Sequence, residues 1–488
     1  MEIEEDEKER IEMKEMDCEQ MQQEESREIE GKKTVSKGLI IVMSCFFVVI
    51  FLLILLLFSL GIVFDNFRKT GPPPVFRTHL AIQPIEMEYN GTSFTCYQFV
   101  GNGSCWKEMS GIWTINIPKE SSDEIIFVVR NNASFQITLR AYGQTTDYQM
   151  DGVPFLPSSP IASSRSSELS IHTKGDKRVF PNNKGTYLLH SSFAFQRYEG
   201  LSLPLLIQQD LPPSHTLAPM VNKAEEVVFM ISQVCPKVEG QPSLDCSHQL
   251  VFNFLKNSSS SPFSLSSPLP SYLLTLVNLK TKENPSRVKV KKGAKVRLRI
   301  INGGSLNNFV VSFGGLNATV FASDGQLTLP FTTNEVWVGL GQRLDVLLEY
   351  ETQGNFQVTA TTANNQDTPT TVGMWIDVES LPDNSLTFSS LPNPRKMEFQ
   401  TESFLRAFKN LPHKESDKVF VISLTGKFAS FGVNGFSYQV YPFAPLPLAP
   451  NPRPLLVNFG DRVHIEFYSE DGCEHPVKNL FPLPFFHI

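Results

Sequence analysis

The sequence predicts an all-β chain of successive β-sandwich units behind one membrane-spanning N-terminal segment. Three observations carry this. Runs rich in Val, Ile, Phe and Thr, at 125–130, 288–301, 336–350, 355–362 and 455–468, alternate with Gly, Pro, Asn and Ser punctuation. The only long helical pattern lies in the charged residues 1–38, and one uncharged apolar run covers residues 39–64. Short strands at close spacing with frequent turns specify sandwiches or barrels.

Residues 1–38 form an acidic tail that holds 14 of the 50 acidic and 7 of the 43 basic residues, which leaves 36 of each sign in the rest of the chain. The tail contains no aromatic residue and cannot bury enough apolar surface to fold alone, so it reads as a solvated cytosolic segment. A neutral remainder excludes nucleic acid as a partner, because phosphate binding needs a clustered basic face. Residues 39–64 exceed the roughly 20 apolar residues that span a bilayer core. Their length, and the charged stretch before them, make them a retained signal anchor rather than a cleaved leader.

Charge does not orient this span, since Lys32, Lys33 and Lys37 before it are balanced by Arg68, Lys69 and Arg77 after it. Glycosylation acceptor triplets do. Asn90, Asn102, Asn132, Asn257 and Asn317 all follow the span, which places the C-terminal part outside the cell or in a lumen, in single-pass type II topology. Two close cysteine pairs, Cys96 with Cys105 and Cys235 with Cys246, are disulfide candidates in such a compartment. Pro72 to Pro74 begin a stiff stalk assigned to residues 65–80. Proline clusters near residues 212 and 394 and a serine run at 258–261 punctuate the outer region. Three β-units are expected, over 81–213, 214–390 and 395–488.

Short motifs recur in a defined order. Val288-Lys-Val-Lys-Lys-Gly293 leads into Val296-Arg-Leu-Arg-Ile-Ile-Asn302, followed by Val320-Phe-Ala-Ser-Asp-Gly325 and Gly341-Gln-Arg-Leu-Asp-Val346. Asp324-Gly325 is expected to make a turn, and Arg343 with Asp345 to form an ion pair along one strand. Upstream lie Asp151-Gly-Val-Pro154, Pro160-Ile161, Gly185-Thr-Tyr-Leu-Leu-His-Ser-Ser192 and Gln196-Arg-Tyr-Glu-Gly-Leu201. Downstream are Asn434-Gly435, Gly460-Asp461 and His475-Pro-Val477. In order and spacing this set resembles the multicopper oxidases, the family of laccases, ascorbate oxidases and ferroxidases. The resemblance implies tandem cupredoxin-like (plastocyanin-like) sandwiches and a copper cofactor.

It also implies a set of copper ligands: two His and a Cys at one copper, and eight His around a cluster of three where dioxygen is reduced. The chain has nine histidines in all, fewer than the ten required. The first ligand motif falls on Arg140-Ala-Tyr-Gly143, so Arg140 and Tyr142 stand where histidines are needed, and a guanidinium has no lone pair to offer. The second is His190-Ser-Ser192, which keeps one ligand of two. The third is His475-Pro-Val-Lys-Asn-Leu480, which keeps the single-copper histidine and has Lys478 and Leu480 at both cluster positions. The sequence ends before a fourth motif. His190 and His475 are therefore vestigial copper-ligand positions, and no catalytic residue is assigned. His79, His172, His215, His248, His413, His464 and His487 show no metal-ligand spacing.

The third unit stops inside its motif and would leave an open sheet edge. Either the sequence is a truncated product, or a partner chain completes the sheet. The expected function is a membrane-anchored, oxidase-like outer region that is non-catalytic, holds no copper or a sub-stoichiometric amount, and has a binding or structural role. The rival readings are a divergent copper oxidoreductase and a copper carrier.

Overall fold

The structure is a computed structural model. It describes residues 75–469 except 90–91, 120–123, 145, 147–149, 153–157, 173–183, 194–195, 236–272, 305, 364–368, 380–404, 407, 409–414, 428–429, 434–435, 440–457 and 459–460. The tail, the apolar run at 39–64, Asn90, Asn257, Cys246 and His475 lie outside the described residues. No helix among the described residues is long and apolar enough to cross a membrane.

Two sheets form the first sandwich. One has the strand order β2–β1–β5–β7, from β1 (Phe76–Tyr89), β2 (Thr92–Asn102), β5 (Glu124–Arg130) and β7 (Ser166–His172). The other has the order β3–β4–β9–β8–β6, from β3 (Trp106–Met109), β4 (Ile112–Ile117), β6 (Arg140–Tyr142), β8 (Gly185–His190) and β9 (Ser202–Ile207). Alternate residues of β5 (Ile125, Phe127, Val129) bury against Tyr187, Leu189 and Leu205 of the facing sheet.

The second sandwich pairs a six-stranded sheet, β11–β10–β13–β18–β15–β16, with a five-stranded one, β12–β20–β19–β14–β17. The six strands are β10 (Glu225–Val234), β11 (Leu274–Val277), β13 (Lys295–Asn302), β15 (Ala318–Ser323), β16 (Gln326–Thr333) and β18 (Arg343–Glu349). The five are β12 (Arg287–Lys291), β14 (Phe309–Ser312), β17 (Glu335–Val338), β19 (Gly354–Thr362) and β20 (Thr371–Glu379). Its core centres on Phe229, Leu298, Phe309, Val346 and Met374, all fully buried.

Between the sandwiches lies a second apolar layer. Leu188 and Leu206 of the first unit meet Val228, Met230 and Ile301 of the second. The strands β8 and β13 are therefore covered on both faces, which is why their sequences lose the alternation of a half-buried strand. A last sheet, β23–β22–β21–β24, uses β21 (Lys418–Lys427), β22 (Ser430–Val433), β23 (Phe436–Gln439) and β24 (Val463–Ser469). The only α-helix among the described residues is one turn, α1 (Ala218–Val221).

Three expectations need correction. The stalk does not reach residue 80: β1 begins at Phe76, pairs in parallel with β5 from Ile125, and buries Thr78 and Leu80. The alternation of Thr78, Leu80 and Ile82 is a strand signal that the preceding prolines obscure. Cys96 and Cys105 are both buried free thiols rather than a disulfide. The Cys105 thiol donates to Thr78 Oγ1 at 3.2 Å, whereas Cys96 pairs with Ile85. Seven residues of strand separate those partners, roughly 23 Å, far beyond the reach of a disulfide. Burial pushes the Cys96 thiol up to about 12, helped by the nearby Glu199 and Glu86 carboxylates. Cys235 is disulfide-bonded, and Cys246, the expected partner, lies outside the described residues.

The third correction concerns Arg343 and Asp345. Asp345 lies directly opposite Arg299 on the neighbouring β13, and its carboxylate takes hydrogen bonds from Arg297 Nη2 at 2.5 Å and Arg299 Nη1 at 3.3 Å. A cross-strand neighbour is about 5 Å away, closer than a residue two positions along the same strand. Arg343 instead pairs with Asp324 at 2.8 Å. Asp324 is in the two-residue turn between β15 and β16, with φ of 51° there and 82° at Gly325, the geometry of a type I′ hairpin.

Candidate functional site

The site begins with two strands. β6 pairs antiparallel with β8, and the register sets Arg140 opposite His190 and Tyr142 opposite Leu188. Two ligand motifs 50 residues apart in sequence are thereby brought onto one sheet face. Gly152 supports the edge strand from behind: at φ +80°, a Cβ there would lie 2.2 Å from the Leu139 carbonyl oxygen. Only glycine fits, which explains the Asp151-Gly-Val-Pro motif.

Arg140, Tyr142 and His190 form one contact group. The Tyr142 and His190 rings meet edge to face, with centroids 5.3 Å apart. The Arg140 guanidinium lies over the Tyr142 ring, 5.5 Å from its centroid, and Arg343 approaches the same ring at 5.8 Å. Arg140 Nη2 is 3.6 Å from Asp151 Oδ2. Burial raises the Asp151 carboxyl, and the facing Arg140 opposes that rise.

His190 is buried, and its Nδ1 lies 2.9 Å from the Ser191 carbonyl oxygen. Donation to that carbonyl puts the lone pair of the neutral ring on Nε2. The loop after it is braced by Ser191 Oγ, which donates to Gln196 Oε1 at 2.5 Å, and by Ser192 N, which donates to Thr138 Oγ1 at 3.2 Å. Gln196 Nε2 in turn donates to the Gln136 carbonyl at 2.5 Å. The Gln196-Arg-Tyr-Glu-Gly-Leu motif is thus a brace, and its Arg197 reaches the second sandwich, donating to the Gly303 and Gly304 carbonyls.

These residues do not fit copper. Arg140 offers no lone pair and Ser192 offers an alcohol. The Tyr142 phenol is held above its ordinary range, by burial first and against the pull of Arg197, Arg343 and Arg140. A phenol that keeps its proton is a poor ligand. No group of three or more described His, Cys, Asp or Glu residues is arranged to hold a metal ion. His475 lies outside the described residues, so His190 is the only one of the two expected positions that the structure places.

Sequence reasoning missed a polar cluster at the join of the sandwiches. Asp345, Arg297 and Arg299 are buried, and Thr186 of the first unit donates to Asp345 Oδ1 at 2.5 Å. Arg299 also donates to Gln208 Oε1 at 2.9 Å and Glu226 Oε1 at 2.5 Å. Burial alone would raise both carboxyls, but Arg299 and Arg297 hold Glu226 below the usual carboxylate range, and Arg297 and Arg299 do the same for Asp345. The alternate arginines of Arg297-Leu-Arg299 were the available signal, because two charges on one face of an apolar strand require partners.

Of the five acceptor asparagines, Asn102, Asn132 and Asn317 are described, and all three are exposed at strand ends or turns.

Paired sandwiches joined through such a cluster, with two ligand motifs on adjacent strands, define a tandem cupredoxin-like architecture. Residues 111–211 match a family profile described as multicopper oxidase, and residues 248–378 match a second of the same description. Over these two regions the chain is similar to the multicopper oxidase family. Laccase-4 of Thanatephorus cucumeris is 28% identical over 225 residues, covering 44% of this chain and 38% of that protein. The copper resistance protein A homolog of Pseudomonas syringae pv. tomato is 24% identical over 253 residues, covering 46% of this chain and 41% of its own. The chain thus spans about two fifths of these relatives. Among solved structures, the laccase from Botrytis aclada has a TM-score of 0.52 at 20% identity, over 74% of this chain and 64% of that one. Fet3p, a multicopper oxidase that functions in iron import, has a TM-score of 0.52 at 19% identity, over 72% and 61%.

Proposed function

We propose that this chain is a membrane-anchored multicopper-oxidase relative whose outer region is non-catalytic and serves a binding or structural role. The observation that carries the reading is the register that sets Arg140 against His190. A fixed guanidinium in contact with Tyr142, on the face where the family gathers imidazoles, brings a positive charge where the family places a metal cation. Loss of ligands abolishes a site, whereas loss of their supports only weakens it. The full-length chain, purified from copper-supplemented cells, is expected to carry far less than one copper per chain. It is expected to consume oxygen at the background rate with a phenol, ascorbate or ferrous iron. Close to four coppers per chain with blue thiolate absorption would overturn this.

One observation favours the alternative, a divergent copper-dependent oxidoreductase such as the laccases. Donation from His190 Nδ1 to a carbonyl is the kind of supporting bond that presents Nε2 to a metal. The same experiment decides between the two readings.

We further propose that residues 39–64 anchor the chain with its C-terminal part lumenal or extracellular. The exposure of Asn102, Asn132 and Asn317 supports glycosylation there. Digestion with an N-glycosidase should increase the gel mobility of the protein from eukaryotic cells; unchanged mobility would remove the argument for this topology.

A further inference from the structure

A groove of about 430 Å³ runs between the two sandwiches on a surface that takes no part in the Arg140–His190 group. Its walls are the β1–β2 hairpin, the β3–β4 hairpin, and the loop that follows β11. Cavities of this size between units are where small molecules bind.

Residues adjoining the lining Gly111 and Leu279 are firmly tied together. Asn278 is fully buried and ties three segments together: its Nδ2 donates to the Ser110 and Val228 carbonyls at 2.9 and 2.8 Å, and its Oδ1 accepts from Met230 N at 2.8 Å. Ser110 Oγ accepts from Val228 N at 3.0 Å. Ser286 adds a buried hydroxyl without a hydrogen-bond partner, pressed against the groove-lining Gly111.

The lining has a definite chemistry. Glu86, Glu88 and Glu108 supply three carboxylates against the single ammonium of Lys280. Neither Glu88, Glu108 nor Lys280 forms an ion pair among the described residues. Trp113 faces Glu108 directly across the β3–β4 pair, so indole and carboxylate stand side by side, and the indole is 47% exposed. Glu86 and Glu88 lie on β1 and Glu108 on β3, and the three form no metal-holding group. Negative charge spread over a groove, with an aromatic face beside it, suits an extended organic cation rather than a metal ion.

We propose that this groove binds a small organic cation with an apolar body, in its simplest form an arylalkylamine. The ammonium is held between the carboxylates of Glu88 and Glu108 and the face of Trp113, and the body lies against Leu279 and Ile112. Lys280 opposes binding.

The test is calorimetric titration of the full-length chain in neutral detergent with 2-phenylethylamine, using 2-phenylethanol as the uncharged near-isostere. Saturable binding is expected below about 10 mM, weakening as salt is added. The alcohol and the E88Q/E108Q variant should each bind or be bound about tenfold more weakly. W113A should lose about threefold. K280Q should bind the amine more tightly. All four positions are exposed or half-exposed, so the variants fold. The proposal is overturned if the amine gives no saturable heat, if the alcohol binds equally, or if E88Q/E108Q or W113A leaves the affinity unchanged; the last two outcomes also identify amine taken up by the micelle alone.

Discussion

Asp345→Asn is expected to destabilise the paired sandwiches by about 3–5 kcal/mol, the cost of leaving a buried charge without its partner. Asp345 is 2% exposed and receives Arg297, Arg299 and Thr186 together. The amide keeps the shape and one acceptor but removes the charge that balances two buried guanidiniums. Glu226, the remaining carboxylate of the cluster, is already engaged by Arg299 and Gln208. A drop in melting temperature of about 10 °C should follow for units of this size. The effect should cross the join, because Thr186 belongs to the first sandwich and Asp345 to the second. A single unfolding transition that moves as a whole is therefore expected. A shift below about 1 kcal/mol would show that the cluster is solvated and that the apolar layer alone joins the units.

Acid should unfold the chain through the same groups. In the folded state Glu226 and Asp345 titrate below the ordinary carboxylate range, despite burial, because the arginines favour their ionised forms. A carboxyl depressed by folding adds stability that is fully present above its unfolded value, about 4, and is lost as pH falls through the folded value. Asp151 works the other way, since burial raises it. Two depressed groups in the cluster outweigh one raised, half-buried group. Melting temperature should hold between pH 7 and 5 as far as these groups decide it, then fall below about pH 4. Asp345→Asn should start lower and fall less over that acid range, having lost one of the two groups. An equal fall in parent and variant would assign acid sensitivity to other carboxylates.

Much of the fold was legible in the residues. The alternating runs at 125–130 and 355–362 match β5 and β19 to within one residue, because both strands bury one face and expose parts of the other. The runs at 288–301 and 336–350 were read as continuous and are each two strands. Gly293, with φ of +81°, turns the chain from β12 in one sheet to β13 in the other, and Gly341, with φ of +67°, does the same between β17 and β18. Apolar periodicity reports burial and not which sheet supplies the cover, so the break was visible only as a glycine.

The candidate site divides in the same way. Sequence by itself determined the donor chemistry: Arg140, Tyr142 and Ser192 stand where the family resemblance implies ligands, and a guanidinium offers copper no lone pair. It also determined the family motifs, the Asp324-Gly325 turn and the balance of charge in the outer region. Tertiary structure alone decided the partners. It set Arg140 against His190 through strand register, gave Asp345 to Arg299 across a strand pair, and kept Cys96 and Cys105 apart along β1. Each of these is a contact between residues distant in sequence, fixed by which strands lie side by side, and pairing order is a property of the closed sheet that no local pattern encodes.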